Sequence, residues 1–216
     1  MSELVLVRHG QASFGTDDYD RLSPVGFQQA RWLGDYFHRH SMRFDRAFRG
    51  NLRRHRETAD SIAETFPVPA YVEDARFNEF ESDILITEYI RETGADSPRD
   101  RATFLHHFPE VLEGWERGTL NGSESYTAFR ARVGAAMADV LQEGGRNLVV
   151  TSGGVICVTL AGVLGLSARG LADLLMNVHN ASVHVLRMEE GRLRLELFNA
   201  TPHIDGKERS HARTYI

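Results

Sequence analysis

Cysteine is nearly absent from this chain. Cys157 is the one thiol among 216 residues, which excludes an internal disulfide framework and gives no reason to expect secretion. It lies in an apolar run and reads as an inert core thiol. An excess of basic charge is missing too: the net charge is -5 and the pI about 6.1, against a general nucleic-acid binder. No apolar stretch approaches the roughly 20 residues that a membrane-spanning helix needs; the longest, Val155 to Leu166, carries glycines. The N-terminus enters an apolar segment at once, without the basic and hydrophobic regions of a secretory signal. These absences leave a cytoplasmic soluble protein as the expectation, with neither membrane nor nucleic acid among its partners. Oligomeric state is left open. The composition, 42% hydrophobic and 25% charged, is that of an ordinary globular chain, long enough for one large domain or two small ones.

Leu4-Val5-Leu6-Val7 reads as a short buried strand, and it stops abruptly at Arg8-His9-Gly10. Charged groups in the middle of a buried strand must be paired or used. At its C-terminal end they project into the crevice where open α/β sheets bind ligands, and Gly10 lets the backbone turn there. An arginine fork suits phosphoryl oxygens, and an unprotonated imidazole can attack phosphorus.

The remaining pattern alternates helices and strands. Gln11 to Asp20 is a polar loop. Ser23-Pro24 caps a helix over Val25–His38, with Phe27, Ala30, Leu33 and Phe37 on one stripe. Phe44–Phe48 reads as a second strand, Leu52–Thr65 as a second helix and Ala70–Val72 as a third strand. From about 73 to 122 the signals are patchy and helical, around Ile84–Glu92 and Phe104–Glu116, and read as a helical insertion into a single domain spanning 1–216. A helix over Ser123–Gln142, a strand Asn147–Thr151 and a helix Val155–Leu164 follow. A short helix from Ser167 and strands near Ser182–Arg187 and Arg192–Asn199 close the sheet, and the polar tail after Pro202 is expected to fray. Such alternation predicts an α/β sandwich with a mostly parallel sheet.

Two further stretches can carry chemistry. Leu52-Arg53-Arg54-His55-Arg56-Glu57-Thr58-Ala59 opens a helix after a strand, where an arginine and free N–H groups suit an anion; alone it also reads as a solvated basic face with Glu57 in local ion pairs. Ser152-Gly153-Gly154 follows another buried strand, either as a glycine turn for close packing or as N–H groups and a hydroxyl lining the crevice of His9. Together the three strand ends describe a phosphoryl-transfer site stabilised by fixed positive charge.

Leu6 to Gly10 resembles the signature of the histidine phosphatase superfamily, whose best-known branch is the cofactor-dependent phosphoglycerate mutases. Leu22 to Ala30, Leu52 to Ala59, Phe77-Asn78-Glu79 and Val149 to Ile156 resemble further blocks of that family in the same order, with Glu57 where glutamine is usual. The resemblance implies a three-layer α/β/α sandwich with a mostly parallel mixed sheet. It implies that His9 becomes a phosphohistidine, that Arg8 and Arg54 clamp the phosphoryl group with Ser152 and Gly153, and that Glu79 is the acid and base. Glu81 and Asp83 lie close to Glu79 in the same segment. Gln11 and Ser13 are candidate substrate contacts from the loop. No metal and no cofactor is implied, and none of the histidines His38, His40, His55, His106, His107, His179 and His211 has metal-ligand spacing.

One departure stands out. Where the family has a second histidine this chain has Ser152, whose neutral hydroxyl is a weaker donor than an imidazolium. His184 and His203 are candidates to replace it, although each also reads as structural. The implied activity is metal-independent phosphomonoester hydrolysis on a phosphorylated small molecule or phosphoprotein; a non-catalytic phosphate binder on the same fold is the alternative. Mutase activity is expected to be negligible, because Phe80–Ile90 is acidic and apolar rather than basic, and because Ala12 and Gly15 lack hydrogen-bonding side chains.

Overall fold

The run Leu4–Val7 is the fully buried middle of β1 (Ser2–Arg8) in the computed structural model, which describes residues 2–13, 20–98 and 101–215. Residues 14–19 of the expected loop, Gly15 among them, lie outside this description. Among the described residues β1 belongs to a six-stranded mixed sheet of order β3-β2-β4-β1-β5-β6. The strands are β2 (Arg46–Arg49), β3 (Tyr71–Glu73), β4 (Gly145–Thr151), β5 (Val183–Glu189) and β6 (Arg192–Ala200). Pairs β3–β2, β2–β4 and β4–β1 are parallel; β1–β5 and β5–β6 are antiparallel.

Successive side chains of a strand point to opposite faces, and here both faces are covered. Leu4, Leu6 and Val149 join one core, while Val5, Val7, Leu148 and Val150 join the other. That is why β1 and β4 read as unbroken apolar runs rather than alternating ones. The second core is closed by α1 (Pro24–Arg39) and α2 (Arg53–Ala63) through Leu33, Phe37, Ala59 and Ile62. The first is closed by α5 (Tyr126–Gln142), α6 (Gly153–Leu164) and α7 (Ala168–Leu175) through Phe129, Val133, Ile156, Leu160 and Leu171. Leu85 and Tyr89 of α3 (Ser82–Thr93) and Phe108 and Leu112 of α4 (Arg101–Arg117) pack into that same core. The expected three layers and mixed, mostly parallel sheet are thus present. Among the described residues no helix is long and apolar enough to cross a membrane.

Local signals act where the sequence places them. Ser23 Oγ accepts from the Gly26 amide with Pro24 behind it, and Ser125 and Ser167 cap α5 and α7 in the same way. Cys157 is buried in the core, and burial raises its thiol pKa strongly. Two expectations need correction. Phe44 precedes β2 rather than starting it, and instead meets Phe37 and Phe66 edge-on at centroid distances of 5.3 and 5.9 Å. The tail after Pro202 does not fray. It forms 3-10 turns at Pro202–Ile204 and Lys207–Ala212, and the Asn180 amide donates to the Thr214 carbonyl at 2.8 Å.

The anchor of that tail is Gln29, buried on α1. Its Nε2 donates to the Ala212 carbonyl at 2.6 Å and to Thr214 Oγ1 at 3.0 Å, and its Oε1 accepts from the Gln11 amide at 2.8 Å. Gln29→Leu strands all these partners, and a buried unpaired polar group costs about 1–3 kcal/mol. We expect urea titration to show a loss of about 2 kcal/mol; an unmoved midpoint would show that the tail is held by other contacts.

Candidate active site

Parallel register assembles the site. Arg8 pairs with Thr151, and Arg49 with Val150. One residue further on, the His9 amide donates to the Thr151 carbonyl at 2.8 Å and the Gly50 amide to the Val150 carbonyl at 3.2 Å. From this edge α1 and α2 turn to one face of the sheet and α6 to the other, which opens a crevice at the carboxyl ends of the strands. Gly10 is required by a close approach: a Cβ there would lie 2.5 Å from the Gly26 carbonyl oxygen, and one on Gly26 would lie 2.2 Å from that of Gln11. The Gly10 amide donates to Thr58 Oγ1 at 3.0 Å, and that hydroxyl donates to the Arg54 carbonyl at 2.7 Å. The turn after β1 is therefore tied to the first turn of α2.

His9 is buried, with Nδ1 2.7 Å from its neighbour's carbonyl, Gly10 O. A carbonyl only accepts, so the ring proton belongs on Nδ1 and Nε2 keeps its lone pair. Burial first, then the charges of Arg54 and Arg8 and the proximity of His55, hold its pKa well below 6.5. The neutral form at pH 7 follows. Arg8 is buried and its Nη1 donates to the Val178 carbonyl. Arg54 Nη1 donates to Asp20 Oδ1 at 2.7 Å, while Asp20 Oδ2 accepts from the Arg53 amide at 2.8 Å. Glu57 binds Arg53 at 2.7 Å and also receives the Leu22 amide at 2.7 Å, so it is both a local ion pair and an anchor for the loop.

Glu79 arrives from the 3-10 turn Ala75–Phe77. That segment is pinned from two sides: Thr151 Oγ1 donates to the Phe77 carbonyl at 2.6 Å, and Arg132 Nη1 to the Arg76 and Asn78 carbonyls at 2.8 and 2.9 Å. The carboxylate accepts the Gly154 amide at 2.8 Å and the Phe80 amide at 3.2 Å. A Cβ on Gly154 would stand 2.1 Å from Glu79 Oε1, so glycine there makes room for the carboxylate. Burial raises the Glu79 pKa against the opposing pull of the Gly154 bond and of Arg54 and Arg8. Glu81 and Asp83 are exposed at the start of α3. Of the three carboxylates, Glu79 is the one brought to the strand ends.

Ser152 is wholly buried in the N-cap position of α6, yet its side chain makes no capping bond. Its Oγ lies 2.7 Å from His55 Nε2. Gly153 sits against Arg8; a Cβ on it would be 3.5 Å from Arg8 Nε and 2.7 Å from Leu175 Cδ1. Gln11 and Ser13 brace the loop. Gln11 Oε1 accepts from Ser23 Oγ at 2.7 Å, and the Ser13 amide donates to the Arg21 carbonyl at 2.7 Å.

The candidates for a replacement histidine are corrected. His184 bonds Ser182 Oγ at 3.0 Å and receives the Asn199 amide at 3.2 Å, beneath Phe198. His203 is buried in the turn Pro202–Ile204. Burial above all pushes each of them down to about 3. Among the described residues neither bonds His9 or Ser152. The imidazole beside His9 is His55, with ring centroids 5.8 Å apart. Sequence offered one hint, its place immediately after Arg54 on the helix that faces β1. Asp20, Thr58 and Arg132 gave no hint at all.

The family model of the histidine phosphatase superfamily (branch 1) matches residues 4–201. No curated protein sequence matches the chain. Solved structures similar to it include a phosphoglycerate mutase from Bacillus anthracis, 19% identical, with a TM-score of 0.69 over 94% of this chain and 94% of that one. A phosphoserine phosphatase from Entamoeba histolytica, solved with 3-phosphoglyceric acid, is 19% identical with a TM-score of 0.68 over 94% and 99%. A mycobacterial glucosyl-3-phosphoglycerate phosphatase in complex with VO3 is 23% identical with a TM-score of 0.65 over 93% and 100%. At these identities the likeness is one of fold.

His9, His55, His184 and His203 are all buried with pKa values below 6.5. Below pH 6.5 the unfolded chain therefore takes up protons that the folded chain refuses, and stability falls as pH falls. Glu79, with its raised pKa, acts in the opposite sense, but it is one group against four. Each histidine contributes on the order of 1 kcal/mol of loss by pH 5.5. The urea midpoint should drop clearly between pH 7.5 and 5.5; a flat profile would mean that these imidazoles are charged in the folded state.

Proposed function

Because the chain belongs to the histidine phosphatase superfamily, we propose that it hydrolyses phosphate monoesters through a phosphohistidine on His9, without a metal ion. The observation that carries this reading is the setting of His9: buried, with Nδ1 2.7 Å from the Gly10 carbonyl and a pKa held down by burial and Arg54, which together imply a neutral ring whose Nε2 keeps its lone pair. Nε2 attacks phosphorus while the bond to the departing oxygen breaks, and the Glu79 carboxyl gives that oxygen its proton. Then the Glu79 carboxylate takes a proton from water, the water oxygen bonds to phosphorus, and the P–N bond breaks to return neutral His9 and orthophosphate. Arg8 and Arg54 supply fixed positive charge where the equatorial oxygens gather negative charge. The raised Glu79 pKa suits a group that must begin each cycle protonated.

Substrates of this reading are phosphorylated small molecules or phosphoproteins. A second reading, a phosphate binder without turnover, is favoured by the neutral hydroxyl of Ser152, and the acidic, apolar stretch over Phe80–Ile90 favours hydrolysis over mutase chemistry. Aryl phosphate hydrolysis across pH 4 to 8 with chelator present separates the readings. Wild type should turn over and His9→Ala should be inert; binding of vanadate by an inert wild type would establish the binder instead. Coupled assay of phosphoglycerate interconversion should give no robust rate.

Glu79→Gln tests the acid. General acid catalysis contributes about 10²–10⁴-fold, so kcat/KM, which reports formation of the phosphohistidine, should fall by that order with a phenyl leaving group and far less with a dinitrophenyl one, which departs unprotonated. An equal loss with both leaving groups would move the proton donor elsewhere.

A further inference from the structure

His55 is a polar side chain with no exposure, its ring centroid 5.8 Å from that of His9. Space has been made for it. A Cβ at Gly50 would stand 2.2 Å from His55 Nδ1 and 2.7 Å from Asn78 Oδ1, although nothing in the Gly50 backbone itself demands glycine. Its single hydrogen bond among the described residues is Nε2 to Ser152 Oγ at 2.7 Å, and Nδ1 has none. Were the ring proton on Nδ1, a buried N–H would be orphaned, which folded proteins avoid more strictly than an unfilled acceptor. The proton therefore sits on Nε2 and donates to Ser152 Oγ. With its oxygen accepting from His55, the serine hydroxyl keeps its own proton for another acceptor, and the oxygen caps no helix amide. On its other sides Ser152 borders the Thr151 carbonyl that holds His9, and Gly153 that lies against Arg8.

We propose that His55 is a positioning residue that aims and polarises the Ser152 hydroxyl, and that this hydroxyl donates a hydrogen bond to the phosphoryl group held between His9 and Arg8. The pair gives a directed neutral donor in place of a charged one. An imidazole N–H behind the hydroxyl strengthens it as a donor through hydrogen-bond cooperativity. The buried imidazole stays neutral, because desolvation and the charge of Arg54 both oppose its protonation. This inference rests on the phosphohistidine reading for its kinetic consequences, but not for binding.

The test is a double-mutant cycle on Ser152→Ala and His55→Phe, read by kcat and KM on an aryl phosphate and by vanadate affinity. Each single variant should lower kcat about 10- to 100-fold, the scale of one donor lost to a charged oxygen, with KM changed little and vanadate bound correspondingly more weakly. The double variant should be no worse than the singles, because both remove the same hydroxyl contact. His55→Gln, whose amide N–H can reach the same oxygen, should recover much of the loss even if it melts as low as His55→Phe; a purely structural role would make activity follow stability instead. Additive losses, or full kcat in Ser152→Ala, would overturn the proposal. So would covalent labelling of Ser152 by a fluorophosphonate, which requires Nε2 to accept rather than donate. If wild type hydrolyses nothing, the phosphohistidine reading fails by itself, and the vanadate affinities of the same variants still decide the pair.

Discussion

The last rung between β1 and β4 is the His9 amide donating to the Thr151 carbonyl. Everything chemical in this protein is referenced to it. The rung fixes His9 one residue beyond the sheet and sets Ser152 and the α6 N-terminus beside it. Through Thr151 Oγ1 on the Phe77 carbonyl, the same residue also fixes the segment that carries Glu79. A slip of one residue in this pairing would reverse every side chain between the two cores. The apolar runs of β1 and β4, buried on both faces, make such a slip prohibitive. The register that positions the site is thus enforced by hydrophobic burial well away from it.

What collects at that rung is an electrostatic problem with a specific solution. Two guanidinium groups, two imidazoles and a carboxyl share a poorly solvated crevice. Burial of a charge is costly unless it is paired, and the structure divides the cost by residue type. The arginines, which cannot give up their protons, are held by Val178 and Asp20. The imidazoles stay neutral, and the carboxyl drifts toward its protonated form while taking two backbone amides. Each of these settlements leaves a group in the protonation state that the proposed phosphoryl transfer asks of it.

The sequence revealed most of this wherever a residue type had one physical use. Leu4–Val7 reads as a buried strand, Arg8-His9 at its end as paired or used, and Ser23-Pro24 as the start of a helix. It was silent where the use is set by a partner distant in the chain. His55 is an unremarkable helix residue until Ser152, 97 positions away, turns its hydroxyl toward it. Gly154 reads as a packing glycine, and only the fold shows that the space belongs to Glu79. The tail looked free because its residues are polar, yet polar residues anchor well once a buried donor such as the Gln29 amide is supplied. Glu79 could be set apart from Glu81 and Asp83 only after the phase of the Ala75–Phe77 turn was known.

The anchoring of the tail has a bearing on how the site comes into being. Thr214 meets Asn180, whose backbone neighbour Ala181 donates to the His9 carbonyl at 3.1 Å, and Gln29 joins Ala212 to the loop behind His9. On the ribosome, which makes the chain in the N-to-C direction, His9 is therefore made long before the segments that seat it. β1 emerges as a sticky apolar strand whose two sheet partners, β4 and β5, lie more than a hundred residues downstream. Closing such distant contacts is slow and leaves strand edges open meanwhile. A nascent chain interrupted before Ala212 has made His9, yet lacks the segment that packs behind it.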